Sequence, residues 1–269
     1  MRRFLCSTIA ISTFLAGCAE LRSDPVGFED LADCPEQTTA GLINRQNRLG
    51  PTSNSQSLQC ALIFLRNSDD PRLRRSPLAS RLCLHLAERE PDQTKREQLA
   101  AEGVAFAEAA LARDGADDGA LHYYLAANLG LVVREHIALA MNNLERLERE
   151  MQQALILNPD IDHGGPLRLL GALYLKAPAW PTGIGDIDKS LTLLARAVEQ
   201  HPEHPLNHLF YAQALWHEDY ETNLGQVKTE FALGESLLTE ADWGHNVVPW
   251  KNEFIEFAQE IGQIESSNR

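Results

Sequence analysis

The sequence predicts an all-α chain of stacked antiparallel helical hairpins, an α-solenoid, on three observations. Apolar residues recur at helical spacing through most of the chain, whereas no stretch combines strand-length β-branched alternation with hairpin turns. One five-residue pattern returns as Ala110-Leu111-Ala112-Arg113-Asp114, Ala154-Leu155-Ile156-Leu157-Asn158 and Ala197-Val198-Glu199-Gln200-His201, at intervals of 44 and 43 residues. A Gly- or Pro-marked start of a new helix follows each copy within a few residues. A lone helix pair cannot bury its apolar face, and stacking successive pairs does so.

End signals then place the elements in order. Candidate helices at Ser55 to Arg66 and Ser76 to Glu88 are separated by Asn67-Ser68-Asp69-Asp70-Pro71. Glu90-Pro91-Asp92 is a stop followed by an N-cap. Leu99, Val104, Ala107 and Leu111 then share one stripe, which Gly115 closes. Leu121, Tyr124, Leu125 and Leu129 begin the next helix, with Gly130 near its end. Ile137 to Leu157 carries a long stripe through Met141, Leu144, Leu147, Met151 and Leu155, on the order of 30 Å at about 1.5 Å per residue. It stops at Asn158-Pro159. Gly164 to Tyr174, a Pro/Gly/Trp loop, a run ending His201-Pro202 and a further helix from Pro205 to Trp216 complete the pattern. These signals give hairpins at 52–90, 92–133, 135–175, 186–216 and 222–262. They make 51–265 a helical repeat domain, preceded by a tether and N-terminal cap at 18–50.

The first residues have a different character. Met1-Arg2-Arg3 is a positive start, and Phe4 to Leu15 is an apolar run shorter than the roughly 20 residues a membrane span needs. It ends Leu15-Ala16-Gly17-Cys18, which resembles the bacterial lipoprotein signal. That resemblance implies removal of residues 1–17, acylation of Cys18 and anchoring by several acyl chains. Ala19, where an Asp would imply inner-membrane retention in that family, implies the periplasmic face of the outer membrane. An ordinary secretory signal or a buried N-terminal helix is the alternative. The composition, 44% hydrophobic and 23% charged, is that of ordinary globular material rather than a disordered chain. The formal charge of −14 becomes two units more negative once Arg2 and Arg3 are removed. So acidic a surface repels phosphate backbones and argues against a nucleic-acid partner.

Three cysteines, Cys34, Cys60 and Cys83, remain for an oxidising compartment. Cys60 and Cys83 lie nearly equidistant from the 67–71 turn, so an antiparallel hairpin would bring them level. A Cys60–Cys83 disulfide is expected on that ground, against the alternative of three buried thiols. No Cys-x-x-Cys occurs and no metal spacing is met.

The small residues Ala126, Gly171 and Ala212 in first helices, the Ala-Leu near second-helix ends, and the closing Asn158-Pro159 and His201-Pro202 resemble the tetratricopeptide-repeat (TPR) superfamily. The resemblance covers residues 92–240, with a period longer than that family's usual 34. Within it, Leu170-Gly171-Ala172-Leu173-Tyr174, Pro178-Ala179-Trp180-Pro181, Ile184-Gly185-Asp186 and Ala197-Val198 are similar to the T component of tripartite ATP-independent periplasmic (TRAP) transporters. That resemblance implies a TPR-like lipoprotein that docks a periplasmic solute-binding protein, and it allows a homo-oligomer around a pore.

Candidate sites follow from loops and concave faces. The loop from Lys176 to Gly185 is longer than most helix–helix connections, and it carries Trp180 and Pro181. It is read either as a recognition loop or as a flap in which Trp180 covers its own hairpin, burial being the commoner fate of an isolated Trp. Aromatics Tyr123, Tyr124, Tyr174, Phe210, Tyr211 and Trp216 recur on first helices, about half of them as core. His122, Tyr123 and His208 are the candidates for the concave face. His201, His204 and His208 have spacings of three and four, but Pro202 and Pro205 interrupt the helix. They are read as surface histidines near a helix start and not as metal ligands. Arg72, Arg74 and Arg75 form a basic run, read as a solvated turn or a contact for lipid head groups or an acidic partner. His217-Glu218-Asp219-Tyr220-Glu221 fails the His-Glu-x-x-His pattern. Neither a nucleophile elbow, a P-loop nor a dinucleotide fingerprint is present, so no enzyme activity and no cofactor are expected. The function expected is a lipid-anchored periplasmic binding or scaffold protein that passes a small hydrophobic or organic-acid solute. An outer-membrane or cell-wall assembly scaffold gripping an extended peptide is the alternative. An uncharacterised periplasmic hydrolase stands third.

Overall fold

A computed structural model describes residues 25–28, 34–35, 37–115 and 117–267. The signal, Cys18 and most of the tether lie outside the described residues. The described chain is helical, with one isolated bridge at Ala179 and Gly185 in place of any strand. Its helices are α1 (Thr39–Arg45), α2 (Ser55–Arg66), α3 (Pro71–Arg74), α4 (Leu78–Ala87), α5 (Gln93–Ala110) and α6 (Gly119–Val133). They continue as α7 (Ile137–Leu157), α8 (Gly165–Lys176), α9 (Ile187–Gln200), α10 (Pro205–Glu240) and α11 (Val247–Ser267).

Local chemistry sets the starts. Asn54, Asp92, Asp118 and Asp186 each accept a backbone N–H in the first turn, of Ser57, Lys95, Ala120 and Lys189 respectively. Each such cap is worth about 1 kcal/mol. Helix α5 does not end at Gly115 as one α-helix. It gives way at Leu111 to a π-helical turn that runs to Gly115. Helix α10 is broken at Asp219, whose backbone is extended (φ −159°, ψ 94°) and whose carboxylate caps the following arm through Thr222 N at 3.1 Å. The break falls between the two expected hairpins.

Successive helices pack, and so do alternate ones: α4 on α6, α6 on α8 and α8 on α10. The result is an inner row of α4, α6, α8 and the first arm of α10, backed by α5, α7 and α9. Contact is most extensive for α6/α7, α5/α6, α4/α5 and α8/α9, so the expected 92–133 hairpin is a tight pair, while α7 meets α8 less extensively than α8 meets α9, against the expected 135–175 hairpin. Gly171 shows why. A Cβ there would lie 2.6 Å from Leu194 Cγ, and Ser190 Oγ donates to Gly171 O at 2.9 Å, so α8 and α9 cross nearly backbone to backbone. The small residue is needed inside the α8/α9 pair. Three larger apolar cores run along the stack, around Leu62 and Leu82, around Leu129 and Met151, and around Leu209 and Phe254, with a smaller fourth of Ala107, Ala110, Leu121 and Leu125 between α5 and α6.

The disulfide is Cys34–Cys60, with Cα atoms 5.5 Å apart, and Cys83 is a buried free thiol. This corrects the expected Cys60–Cys83 pairing. Equal distance from a turn fixes height along a hairpin but not rotation about each helix. Leu58, Leu62 and Leu65 form the α2 stripe in the first core, and Cys60 is two residues, about 200°, from both Leu58 and Leu62. It therefore faces the N-terminal segment that carries Cys34. Cys83 joins the core, where burial first and the Glu102 carboxylate second push its thiol well above the ordinary value.

The segment before α2 meets the turn before α11. His245 N donates to Pro51 O at 3.0 Å, and Arg89 at the end of α4 donates to the carbonyls of Gly50, Pro51 and Ser53 at 3.2, 2.9 and 2.6 Å. The inner row is thereby roofed by the 47–51 segment and by Trp250 of α11.

Candidate functional site

The loop between α8 and α9 presents the most exposed aromatic of the described chain, Trp180 at 85%. It is no flap: the expectation that Trp180 folds over its own hairpin gives way to an outward indole, beside an exposed Pro181. What holds the loop is its base. Thr182 N and Gly183 N donate to Ala179 O, Gly185 N donates to Pro178 O at 2.8 Å, and Asp186 N donates to Tyr174 O at 3.0 Å. A Cβ on Gly185 would lie 2.1 Å from Ala177 O, so only glycine lets the two limbs approach. The Trp180–Pro181 peptide is cis. A fixed loop that exposes an amphipathic ring has the geometry of a docking anchor.

The inner row encloses a second feature, a cavity of about 300 Å³ lined by Arg81, His85, Tyr123, Tyr124, Arg168 and Trp250 among others. The three residues expected on the concave face fare differently. Tyr123 does line this cavity but is only 3% exposed, and its hydroxyl donates to Asp162 Oδ2 at 2.6 Å. Burial, then the Asp162 carboxylate, raise its pKa well above the ordinary value. His122 turns instead toward α7, with Nδ1 at 2.7 Å from Glu150 Oε2. His208, 4% exposed, lies between Glu230 Oε2 (2.7 Å from Nδ1) and Pro202 O (2.8 Å from Nε2). Each histidine is thus held by a carboxylate of a neighbouring helical segment. More of the first-helix aromatics than the expected half are core: Tyr123, Tyr124, Tyr174, Phe210 and Trp216 are buried and Tyr211 is half-buried, because a second row of helices covers the first.

The histidine group is buried rather than superficial. His204 does act as a cap, accepting from Leu206 N at 3.3 Å, but its ring packs against Trp243 and Trp250, each with centroids 5.0 Å away. Burial, then the Arg168 charge, push its pKa far below the ordinary value, so the ring is neutral. Among the described residues no cluster could hold a metal. The Arg72 and Arg74 charges are answered locally by Asp70 and Asp69.

His208 sets a pH dependence. Burial opposes the charged ring, but Glu230 and the Pro202 carbonyl accept from both nitrogens and raise its pKa above the ordinary value. A raised folded value means the pair's stabilisation is complete below the unfolded pKa of about 6.5 and is lost as pH rises through the folded value. His204, with its depressed pKa, contributes the opposite slope as pH falls below about 6.5. We therefore expect His208→Gln to lose most stability, relative to the parent, below pH 6.5, with the gap narrowing at higher pH. Melting temperatures of both chains across pH check this, and a gap independent of pH would show the ring to be neutral.

Sequence reasoning missed the polar centre beside the cavity. Arg168, buried in the apolar run of α8, donates to Asp162 Oδ2 at 2.5 Å, Asp162 O at 3.1 Å, His163 O at 3.2 Å and Asn207 Oδ1 at 2.9 Å. A lone Arg inside Pro166-Leu167-Arg168-Leu169-Leu170 was the available signal. Among the described residues no helix is long and apolar enough to cross a membrane. No protein-family model matches this chain, and comparison with curated proteins finds no match.

Proposed function

We propose that this chain is a non-catalytic, lipid-anchored docking protein on the periplasmic face of the outer membrane. In this reading it is built on TPR-like repeats and anchored through Cys18. It serves as the accessory T component of a TRAP-type system that holds a periplasmic solute-binding protein. The carrying observation is Trp180, set 85% exposed on a loop whose base is tied by four backbone hydrogen bonds. A rigid, exposed Trp costs little entropy to bury and anchors protein interfaces. The Cys18 signal and the central-block resemblance support the address and the partner class. The alternative, a scaffold gripping an extended peptide along the inner row, is less favoured. The contact of the 47–51 segment with the turn before α11 covers that row and leaves a cavity of about 300 Å³ there.

Immobilised chain and periplasmic extract from its own source test the reading. The parent is expected to retain a solute-binding protein identified by mass spectrometry. Trp180→Ala should lower its affinity by about 30-fold or more, the loss of one anchor residue, with no change in melting temperature. Retention of barrel-assembly or wall-synthesis proteins instead, or retention indifferent to Trp180, would overturn it.

A further inference from the structure

The largest cavity among those described lies between the inner row and α7. Its volume is about 570 Å³, and it opens where α7 parts from α8, between the C-terminal ends of α6 and α8 and the first half of α7. The parting has a structural cause. Helix α7 is drawn onto α6 and α8 onto α9, and the contact between the two pairs is the less extensive one. Of the α7 stripe, Leu144, Leu147 and Met151 are buried at the floor of this cavity and Met141 is half-buried at its side. Leu173 and Phe210 face it from the other wall. Ile137, at the start of α7 and also part of the lining, is 84% exposed.

The lining is unusual in charge as well as in size. Its only ionised groups are Arg134 and Lys176, although the chain carries 38 acidic residues against 24 basic ones. Glu135, which accepts from Arg134 Nε at 3.1 Å, is not part of the lining. The Lys176 ammonium lies 5.4 Å from the Phe210 ring centroid, over an aromatic wall of the same cavity. The combination is a long apolar slot with two cations and no anion. Methionines at two positions add adaptable surface for a flexible chain. Sites for small molecules have this character, a few hundred cubic ångströms of apolar lining with a small number of charged groups that fix orientation.

We infer that this slot binds an anionic amphiphile, a single acyl chain ending in a carboxylate, with the chain along Met141, Leu144, Leu147 and Met151 and the carboxylate at Arg134 and Lys176. Each methylene taken from water favours binding, and the paired cations select the sign of the head group. The inference does not need the docking reading, because Trp180 is not part of this lining.

The test uses the chain from Ala19, which contains every described residue, and three probes of equal chain length: dodecanoate, dodecanol and dodecyltrimethylammonium. Each is titrated by displacement of a fluorescent polyene fatty acid. Dodecanoate is expected to bind with one site per chain and about tenfold or more tighter than the other two. Both cations belong to exposed residues, so Arg134→Glu/Lys176→Glu should keep the fold. It should reverse the preference toward the cationic probe. Met141→Trp, which fills the slot, should weaken all three. Equal binding of the three probes, no binding, or a preference untouched by charge reversal would overturn the inference. So would a concentration-dependent dimer in sedimentation that Met141→Trp abolishes and dodecanoate does not, since the slot would then be an interface between copies.

Discussion

Arg168→Met is expected to lower the unfolding free energy by about 3 kcal/mol, the largest single-residue effect we predict. Methionine keeps much of the stem volume and removes the guanidinium. The Asp162 side chain is 43% exposed, so little of the loss is Coulombic. It comes from what the fork holds. Asp162, His163 and Gly164 are consecutive left-handed residues, at φ 51°, 52° and 77°. Left-handed backbone costs a non-glycine residue about 1–2 kcal/mol and persists only where its surroundings enforce it. Arg168 supplies that enforcement by donating to the carbonyls of both Asp162 and His163. Asn207 does the same from α10, donating to His163 O, Ala197 O and His201 O while it accepts from Arg168. Removing the fork takes the donor from the buried Asn207 oxygen and from the part-buried Asp162 carbonyl together, and leaves His163 O to Asn207 alone. Denaturant unfolding measures the loss, and a double-mutant cycle with Asn207→Ala should show coupling, since the two side chains share partners. A loss below about 1 kcal/mol would mean that water replaces the guanidinium and the turn is not held by it.

Gly244→Ala is expected to separate the turn before α11 from the segment before α2. Gly244 has φ +58°, and a Cβ there would lie 2.3 Å from Pro51 O and 2.5 Å from Pro51 C. Both are backbone atoms, so no rotamer relieves the clash, and the left-handed backbone adds about 1–2 kcal/mol. The neighbouring His245 N would lose Pro51 O, which Arg89 also grips. The outcome is local. The amide of His245 and those of the 49–53 segment should exchange faster with solvent, while the Leu129–Met151 core keeps its protection. Faster exchange throughout would instead mean that closure holds the whole stack together, and unchanged exchange would show the contact to be dispensable.

Much of the fold was legible because it is local. Helix α7 begins and ends where the Ile137 to Leu157 stripe does, and α2 where Ser55 and Arg66 mark it. Asp92 caps α5 as its place after Pro91 requires. Periodicity and capping act within a turn or two of chain, so a sequence window contains them. The sites were less legible. The pattern singled out the Trp180 loop but could not say which way the indole turns. That depends on limbs brought together by Gly185 and on the Tyr174 carbonyl at the end of α8. His122 and His208 were placed by helical phase alone, and their partners, Glu150 on α7 and Glu230 on the second arm of α10, come from 28 and 22 residues away.

The sequence by itself determined that the described chain is helical, where most helices start and stop, and that small residues such as Gly171 mark close crossings. Only the tertiary structure decided that Cys60 meets Cys34, that Arg168 lies buried in a polar centre, that Gly244 packs on Pro51, and that an apolar slot remains between α7 and α8. The reason is rotational. Spacing along a chain fixes a residue's height on its helix, while packing against distant helices fixes the direction it faces, and contacts are made by direction.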